Sequence, residues 1–158
     1  RVRASHPNVG VAIQAYLHRS PVDIEALIDS GTGVRLVKGA YREPSDIALQ
    51  RMEQIRCAFV QSMEPLLLRG ERTALATHDD RLIKAAREFA ARESVPSDRF
   101  EFQMLYGVRR DLQQSLAGAG YGMRIYVPFG SQWYPYMVRR LAERPANLWF
   151  IVKNLFRR

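Results

Sequence analysis

Apolar residues along the chain alternate between short dense runs and longer stretches in which they recur every three or four positions. The short runs are rich in branched or aromatic residues and are bounded by turn formers, which predicts β-strands. They cover residues 10–17, 34–41, 73–78, 100–105 and 123–127. Their spacing leaves room for a helix between neighbours. The pattern therefore predicts βαβ units and a parallel sheet.

The helices have readable beginnings. Ser20 is the predicted N-cap of the first helix, with Pro21 at the first helical position. A helix is predicted from Ser45 to residue 68, with a kink or break at Pro65. Asp79 or Asp80 is predicted to cap the next helix, which covers residues 82–91. Further helices are predicted over 107–117, 132–142 and 146–156.

Composition narrows the class of protein. The 158 residues are 47% hydrophobic and 25% charged, the balance of a globular protein with a buried core. No apolar run approaches the roughly 20 residues of a membrane-spanning helix. The chain is too short for a complete eight-fold barrel, which needs about 250 residues. It lacks an initiator Met and a signal-peptide pattern, so we expect it to begin inside a longer protein.

The single cysteine, Cys57, excludes an internal disulfide and a cysteine-cluster metal site, and its helical setting predicts a buried apolar role. The net charge is +8. A net of +5 falls within residues 139–158, so the excess is terminal rather than a stripe along the molecule. We therefore predict no nucleic-acid partner.

Polar residues interrupt strands that a doubly covered parallel sheet should make continuously apolar. An unpaired buried charge costs several kcal/mol, so a charged strand residue is exposed, paired or facing a ligand. Ligands bind at the carboxyl ends of strands in α/β folds, which favours one shared site over separate salt-bridged strand ends. The interrupting residues are Gln14, Arg35, Lys38, Thr77, His78, Glu101, Gln103, Arg124 and Tyr126.

Two further features suggest what such a site binds. Gly39 permits close backbone approach, and Thr77 with His78 directly precedes a helix start, which suits a diphosphate. Arg139 and Arg140 share a helix face with Tyr136 and can grip a carboxylate or phosphate. The alternative for this face is a solvated basic helix. No residue pattern predicts a metal site.

These segments together resemble the proline dehydrogenase family. The matching stretches follow the family's order and cover nearly the whole chain. They are IQAYL (13–17), RLVKGAY (35–41), ATHD (76–79), FEFQMLYG (100–107), RIYVPFG (124–130) and YMVRRLAERPAN (136–147).

The resemblance implies an incomplete (βα)8 TIM-type barrel. Residues 1–158 would be part of the catalytic barrel, about five C-terminal βα units with strands four to eight and terminal helices. It implies oxidation of L-proline to Δ1-pyrroline-5-carboxylate by hydride transfer to FAD, with electrons passed to a quinone. The expected location is cytoplasmic, with peripheral contact at the inner membrane as an option. The apolar and basic segment 146–158 suits either that contact or a cover over the barrel end.

The resemblance also assigns residues. The FAD contacts are Gln14, Arg35, Lys38, Gly39, Ala40, Thr77 and His78. The substrate contacts are Leu105, Tyr126, Tyr136, Arg139 and Arg140. Catalytic roles fall on Arg35, which bonds near flavin N5, and on Tyr126, which packs on the proline ring.

Departures from the family leave alternatives open. No segment matches the earlier strands that carry a substrate-binding Lys and an Asp supporting the Arg35 position. Asp79 replaces an Asn common in the family, a change that we expect to be minor. The alternatives are an isolated, non-catalytic fragment and a barrel that binds a different phosphorylated ligand.

Overall fold

Strands and helices alternate along the chain in the computed structural model, which describes residues 2–127, 129 and 130. The strands are β1 Gly10–Gln14, β2 Gly33–Val37, β3 Thr73–Ala76, β4 Phe100–Leu105 and β5 Gly122–Tyr126. The helices are α1 Val2–Ser5, α2 Ser20–Asp29, α3 Met52–Arg69, α4 Asp80–Arg92 and α5 Arg110–Gly118. All five predicted strands are confirmed.

The strands form one parallel sheet in the order β1-β2-β3-β4-β5, so each strand pairs with its neighbour in sequence. Helices α2 to α5 contribute to a single apolar core against one face of this sheet. Sequential order with helices on one face is the arrangement of a βα-barrel wall, whereas a doubly wound sheet carries helices on both faces. The predicted α/β class and partial barrel are confirmed.

Alternation along the strands sorts their side chains between two faces. In β2, Val34 and Leu36 point into the helix-covered core and are at most 2% exposed, while Arg35 lies on the opposite face. In β4, Phe100 and Phe102 are in the core, where they pack edge to face with ring centroids 5.5 Å apart. The face away from the helices, here called the open face, therefore carries the polar strand residues.

A second, smaller cluster of Tyr16, Ala48 and Ile55 lies where the chain leaves β1 and β2. There Leu17 forms an antiparallel bridge with Ala48, and the Leu49 amide donates to the Tyr16 carbonyl. This pairing explains why the helix predicted from Ser45 begins only at Met52: the intervening backbone bonds to the other loop. That boundary prediction is wrong.

Helix α3 shows two other differences from expectation. It continues through Pro65 to Arg69, with Met63 and Leu66 buried on its inner face on either side of the proline. The predicted break is wrong, since burial of this face compensates for the missing amide. Cys57 is exposed rather than buried because its position on α3 faces away from the sheet.

Two other predicted helix starts shift and one is confirmed. Ser20 lies inside α2 and its hydroxyl donates to the Gln14 carbonyl at 2.6 Å, so it ties the helix to β1 instead of capping it. Helix α5 begins at Arg110, because Arg109 adopts a left-handed conformation with φ 57°. Asp79 caps α4 as predicted, accepting from the Arg81 amide. The helices predicted over 132–142 and 146–156 lie outside the described residues.

Within the described part of the chain, no helix has both the length and the apolar character needed to cross a membrane.

Candidate active site at the carboxyl ends of the strands

The strand register aligns polar residues of successive strands on the open face. Gln103 of β4 pairs with Ala76 of β3 on one side and with Arg124 of β5 on the other. Leu105 pairs with Tyr126 two residues nearer the carboxyl ends of these strands. Because parallel strands end at the same edge, residues distant in sequence converge there.

Arg35 is the cation at the centre of this face. Its Nε donates to Gln103 Oε1 at 2.7 Å, and its guanidinium carbon lies 4.9 Å from the centroid of the Tyr126 ring. That ring is 42% exposed. Among the described residues Arg35 makes no other hydrogen bond, so its two terminal nitrogens are available to a ligand. A cation with free donors beside an open aromatic face suits an anionic or acceptor-rich flat group.

Gln14, Gly39 and Ala40 form a second part of the site. The Ala40 amide donates to Gln14 Oε1 at 3.2 Å, which fixes the segment after β2 against the end of β1. Gly39 has φ 121°, and a Cβ there would collide with the Tyr16 ring. Only glycine fits this position, because both the backbone conformation and the close packing exclude a side chain.

Lys38 lies beside Asp79 rather than beside Arg35. Its Nζ is 3.0 Å from Asp79 Oδ2, and Arg56 Nε is 2.9 Å from the same oxygen. We call Lys38, Arg56 and Asp79 the Asp79 cluster. Burial of the Asp79 carboxyl favours its neutral form, but the two cations outweigh that effect and lower its pKa. One carboxylate thus meets two cations and also caps α4.

His78 lies between the Asp79 cluster and β4. The Leu105 amide donates to its Nε2 at 3.0 Å, so Nε2 is unprotonated and the neutral ring carries its proton on Nδ1. Burial, with the nearby Lys38 and Arg109 cations, lowers the pKa of His78 to about 4. A neutral imidazole therefore faces this edge at pH 7. The buried Thr77 hydroxyl accepts from the Asp79 amide at 3.1 Å.

Sequence reasoning assigned no role to several residues that organise the site. Arg109 holds the Asp80 carboxylate with two bonds of 2.9 Å and also pairs with Asp111, which joins the amino ends of α4 and α5. Arg124 holds Glu101 in the same two-pronged way. The alternating polar residues of β4 and β5 in the sequence indicated that Arg124 and Glu101 lie on the same face of the sheet. Nothing in the sequence pattern singled out Arg109.

The structure thus brings most of the assigned residues to one edge of the sheet. Those whose contacts converge there are Gln14, Arg35, Gly39, Ala40, Thr77, His78, Leu105 and Tyr126. Lys38 is engaged by Asp79. Tyr136, Arg139 and Arg140 lie outside the described residues.

Comparison with known proteins gives one consistent family. The family model for proline dehydrogenase matches residues 2–153. Proline dehydrogenase 1 of Bacillus subtilis subsp. natto is 44% identical over 150 residues, which are 95% of this chain and 50% of the relative. Proline dehydrogenase of Deinococcus radiodurans is 41% identical, with 95% of this chain and 48% of the relative covered. The chain therefore spans about half the length of these curated relatives.

Solved structures agree with the sequence relatives. Proline utilization A from Bdellovibrio bacteriovorus, inactivated by N-propargylglycine, superposes with a TM-score of 0.76 and 31% identity. The superposition covers 84% of this chain and 16% of that one. The family model matches nearly all of the chain and the sheet is a barrel wall, and on these grounds the chain belongs to the proline dehydrogenase family.

Proposed function

We propose that the protein containing this chain oxidises L-proline to Δ1-pyrroline-5-carboxylate, transferring a hydride to FAD and passing the electrons to a quinone. The observation that carries this proposal is the Arg35 guanidinium. It is held on the open face by Gln103, lies over the Tyr126 ring and keeps two terminal nitrogens unused among the described residues. Membership of the proline dehydrogenase family supplies the reaction class.

The residues at this edge fit a flavin. The Gly39 backbone packs closely against the Tyr16 ring, and the neighbouring Ala40 amide donates to Gln14 Oε1, so this segment after β2 is held in place beside the strand ends. Arg35 offers donors to ring acceptors, and neutral His78 adds no charge. Gln14, Arg35, Gly39, Ala40, Thr77 and His78 would hold FAD, with Lys38 acting from the Asp79 cluster. When bound, FAD supplies the hydride acceptor that no side chain of the chain can provide.

The remaining chemistry falls to the protein's own side chains. We assign the proline carboxylate to Arg139 and Arg140, with Tyr136 as a further substrate contact, because paired guanidiniums bind a carboxylate with defined orientation. Tyr126 and Leu105 pack against the proline ring. Arg35 favours negative charge where the electrons arrive. Orientation of the reacting carbon is the main contribution, since a fixed geometry removes much of the entropic barrier.

The proposal is tested on the protein as its gene encodes it. Purification should give a yellow protein with a flavin spectrum, which L-proline bleaches and which reduces an artificial acceptor. Arg139→Lys and Arg140→Lys should each raise the KM for L-proline at least tenfold while flavin content stays constant. A protein without flavin, or without proline-dependent bleaching, would contradict the proposal; unchanged KM in both variants would contradict the clamp alone.

The electron acceptor and membrane contact need separate measurements. A short-chain quinone should replace the artificial acceptor in the same assay. Vesicles with anionic lipid should sediment the protein at low salt and less at high salt if segment 146–158 lies at a membrane surface. Failure to sediment at either salt concentration would favour the cover over the barrel end.

A further inference from the structure

We propose that Gln103 is a positioning residue for Arg35, within a polar chain that orients the guanidinium on the open face. This inference rests on the proposed function, because it concerns how Arg35 is presented to the flavin. It assigns a role to the alternating polar residues of β4 and β5. The chain consists of Arg35, Gln103, Glu101 and Arg124.

The hydrogen bonds of this chain converge on the Glu101 carboxylate from its two ends. Arg124 Nε and Nη2 donate to the two Glu101 oxygens at 2.7 and 2.9 Å. Gln103 Nε2 donates to Glu101 Oε1, and Gln103 Oε1 accepts from Arg35 Nε at 2.7 Å. Each side chain is thereby held by the one before it.

An amide satisfies both neighbours at this position. Arginine has donors alone, and an ionised carboxylate has acceptors alone. Hydrogen bonds from Arg124 and Gln103 keep the Glu101 carboxylate ionised despite its partial burial. A side chain between Arg35 and Glu101 must accept at one end and donate at the other, which the Gln103 amide does, and its orientation is fixed by those partners.

Burial adds weight to the bond between Gln103 and Arg35. Gln103 is 5% exposed, so water cannot readily replace a lost partner. The bond uses Nε, the edge of the guanidinium nearest its own backbone. The guanidinium carbon lies beside the Tyr126 ring, and the two terminal nitrogens have no hydrogen-bond partner among the described residues. The strand register supports this arrangement, because Arg35 and Gln103 lie on the same face two strands apart.

The test uses Gln103→Met in the protein as its gene encodes it, since methionine has a similar volume but neither donates nor accepts well. We expect kcat with L-proline to fall about tenfold, while KM changes less than twofold. The flavin should become harder to reduce by about tenfold in its equilibrium constant, equivalent to about 30 mV for a two-electron couple. Gln54→Met, at an exposed glutamine of α3, is the matched control and should change neither quantity.

A double-mutant cycle shows whether Gln103 acts through Arg35. In an Arg35→Met background, Gln103→Met should change kcat less than twofold. It should also change the equilibrium constant for flavin reduction less than twofold, because the side chain that Gln103 orients is already absent. Additive losses in the cycle would overturn the inference, as would a wild-type potential in Gln103→Met.

Flavin content and thermal unfolding are recorded for each variant. If Gln103→Met loses flavin or unfolds early, the double variant Glu101→Gln with Gln103→Glu decides, since the carboxylate at 103 still accepts from Arg35 and the amide at 101 donates to it. Recovery of flavin binding and thermal stability in the double variant supports the inference, and no recovery contradicts it. A wild-type protein that binds no flavin would refute the proposed function instead.

Discussion

Two charged networks cross the strands of this sheet, and they differ in how completely their cations are paired. In the Asp79 cluster both cations meet the same carboxylate, whose side chain is 9% exposed. On the open face, the polar chain ends in Arg35, which binds only a neutral amide among the described residues. The first network pairs each of its cations with a carboxylate and joins the segment after β2 to α3 and to the start of α4. The second leaves a cation whose terminal nitrogens have no hydrogen-bond partner in the described part of the chain, which suits a ligand site.

This difference predicts that Arg35 matters for turnover and Asp79 for folding. Arg35→Met should lower kcat for L-proline by about 10²–10³, the usual cost of removing a group that stabilises developing charge. The free energy of unfolding should fall by only about 1 kcal/mol, from the acceptor left on Gln103. Steady-state kinetics and denaturant unfolding on the same preparations measure both quantities.

Arg87→Met is the matched control for Arg35→Met. Arg87 also lies over a tyrosine ring, 5.7 Å from the Tyr121 centroid, but on helix α4. Its replacement should leave kcat within twofold of wild type. If Arg35→Met retained kcat within threefold, the open face would not be the reacting site.

The Asp79 cluster should respond in the opposite way. Asp79→Ala removes the α4 cap and leaves Lys38 and Arg56 without their shared carboxylate, so we expect a loss of about 3 kcal/mol in unfolding free energy. Asp79→Asn keeps a capping oxygen and should lose less. Urea unfolding measures the free energies of unfolding of both variants, and Asp98→Ala, at an exposed aspartate, is the control. A loss below 1 kcal/mol for Asp79→Ala would mean that the cluster does not stabilise the sheet.

The low pKa of His78 makes the free energy of unfolding depend on pH. Its folded pKa of about 4 lies below the ordinary value of 6.5, so its contribution to stability is present above pH 6.5 and is lost as the pH falls towards 4. Between pH 7 and pH 5 this loss should amount to about 2 kcal/mol.

His78→Gln keeps an acceptor for the Leu105 amide and should flatten this part of the pH profile. Urea unfolding at pH 7, 6 and 5 gives the comparison, with His6→Gln as a control for substitution. An identical slope in wild type and His78→Gln would show that burial and the nearby Lys38 and Arg109 cations do not lower the pKa of the imidazole.

The smallest effect is expected at the outer end of the polar chain. Arg124 is 60% exposed, so its bond to Glu101 is screened by water. Arg124→Met should cost less than about 1 kcal/mol in unfolding free energy and change kcat no more than threefold. A larger fall in kcat, measured beside Gln103→Met, would show that Arg124 also contributes to the orientation of Arg35.

The sequence predicted the strands well because their signal is local. Dense apolar runs between turn formers define β1 to β5, and burial confirms which alternate residues form the core. Helix boundaries were less predictable where other segments compete for the backbone. The late start of α3 depends on the bridge between Leu17 and Ala48, and no pattern within 45–52 announces that pairing.

The sequence by itself determined the order of the βα units, the presence of polar residues on every strand and the resemblance to one family. These depend on periodicity and on motifs that lie within a few residues of each other. Only the tertiary structure decided which polar residues meet. It paired Lys38 with Asp79, 41 residues away, and Arg35 with Gln103, 68 residues away. The physical reason is that hydrogen bonds and contact ion pairs need their atoms about 3 Å apart, and strand register together with helix packing sets which side chains come that close.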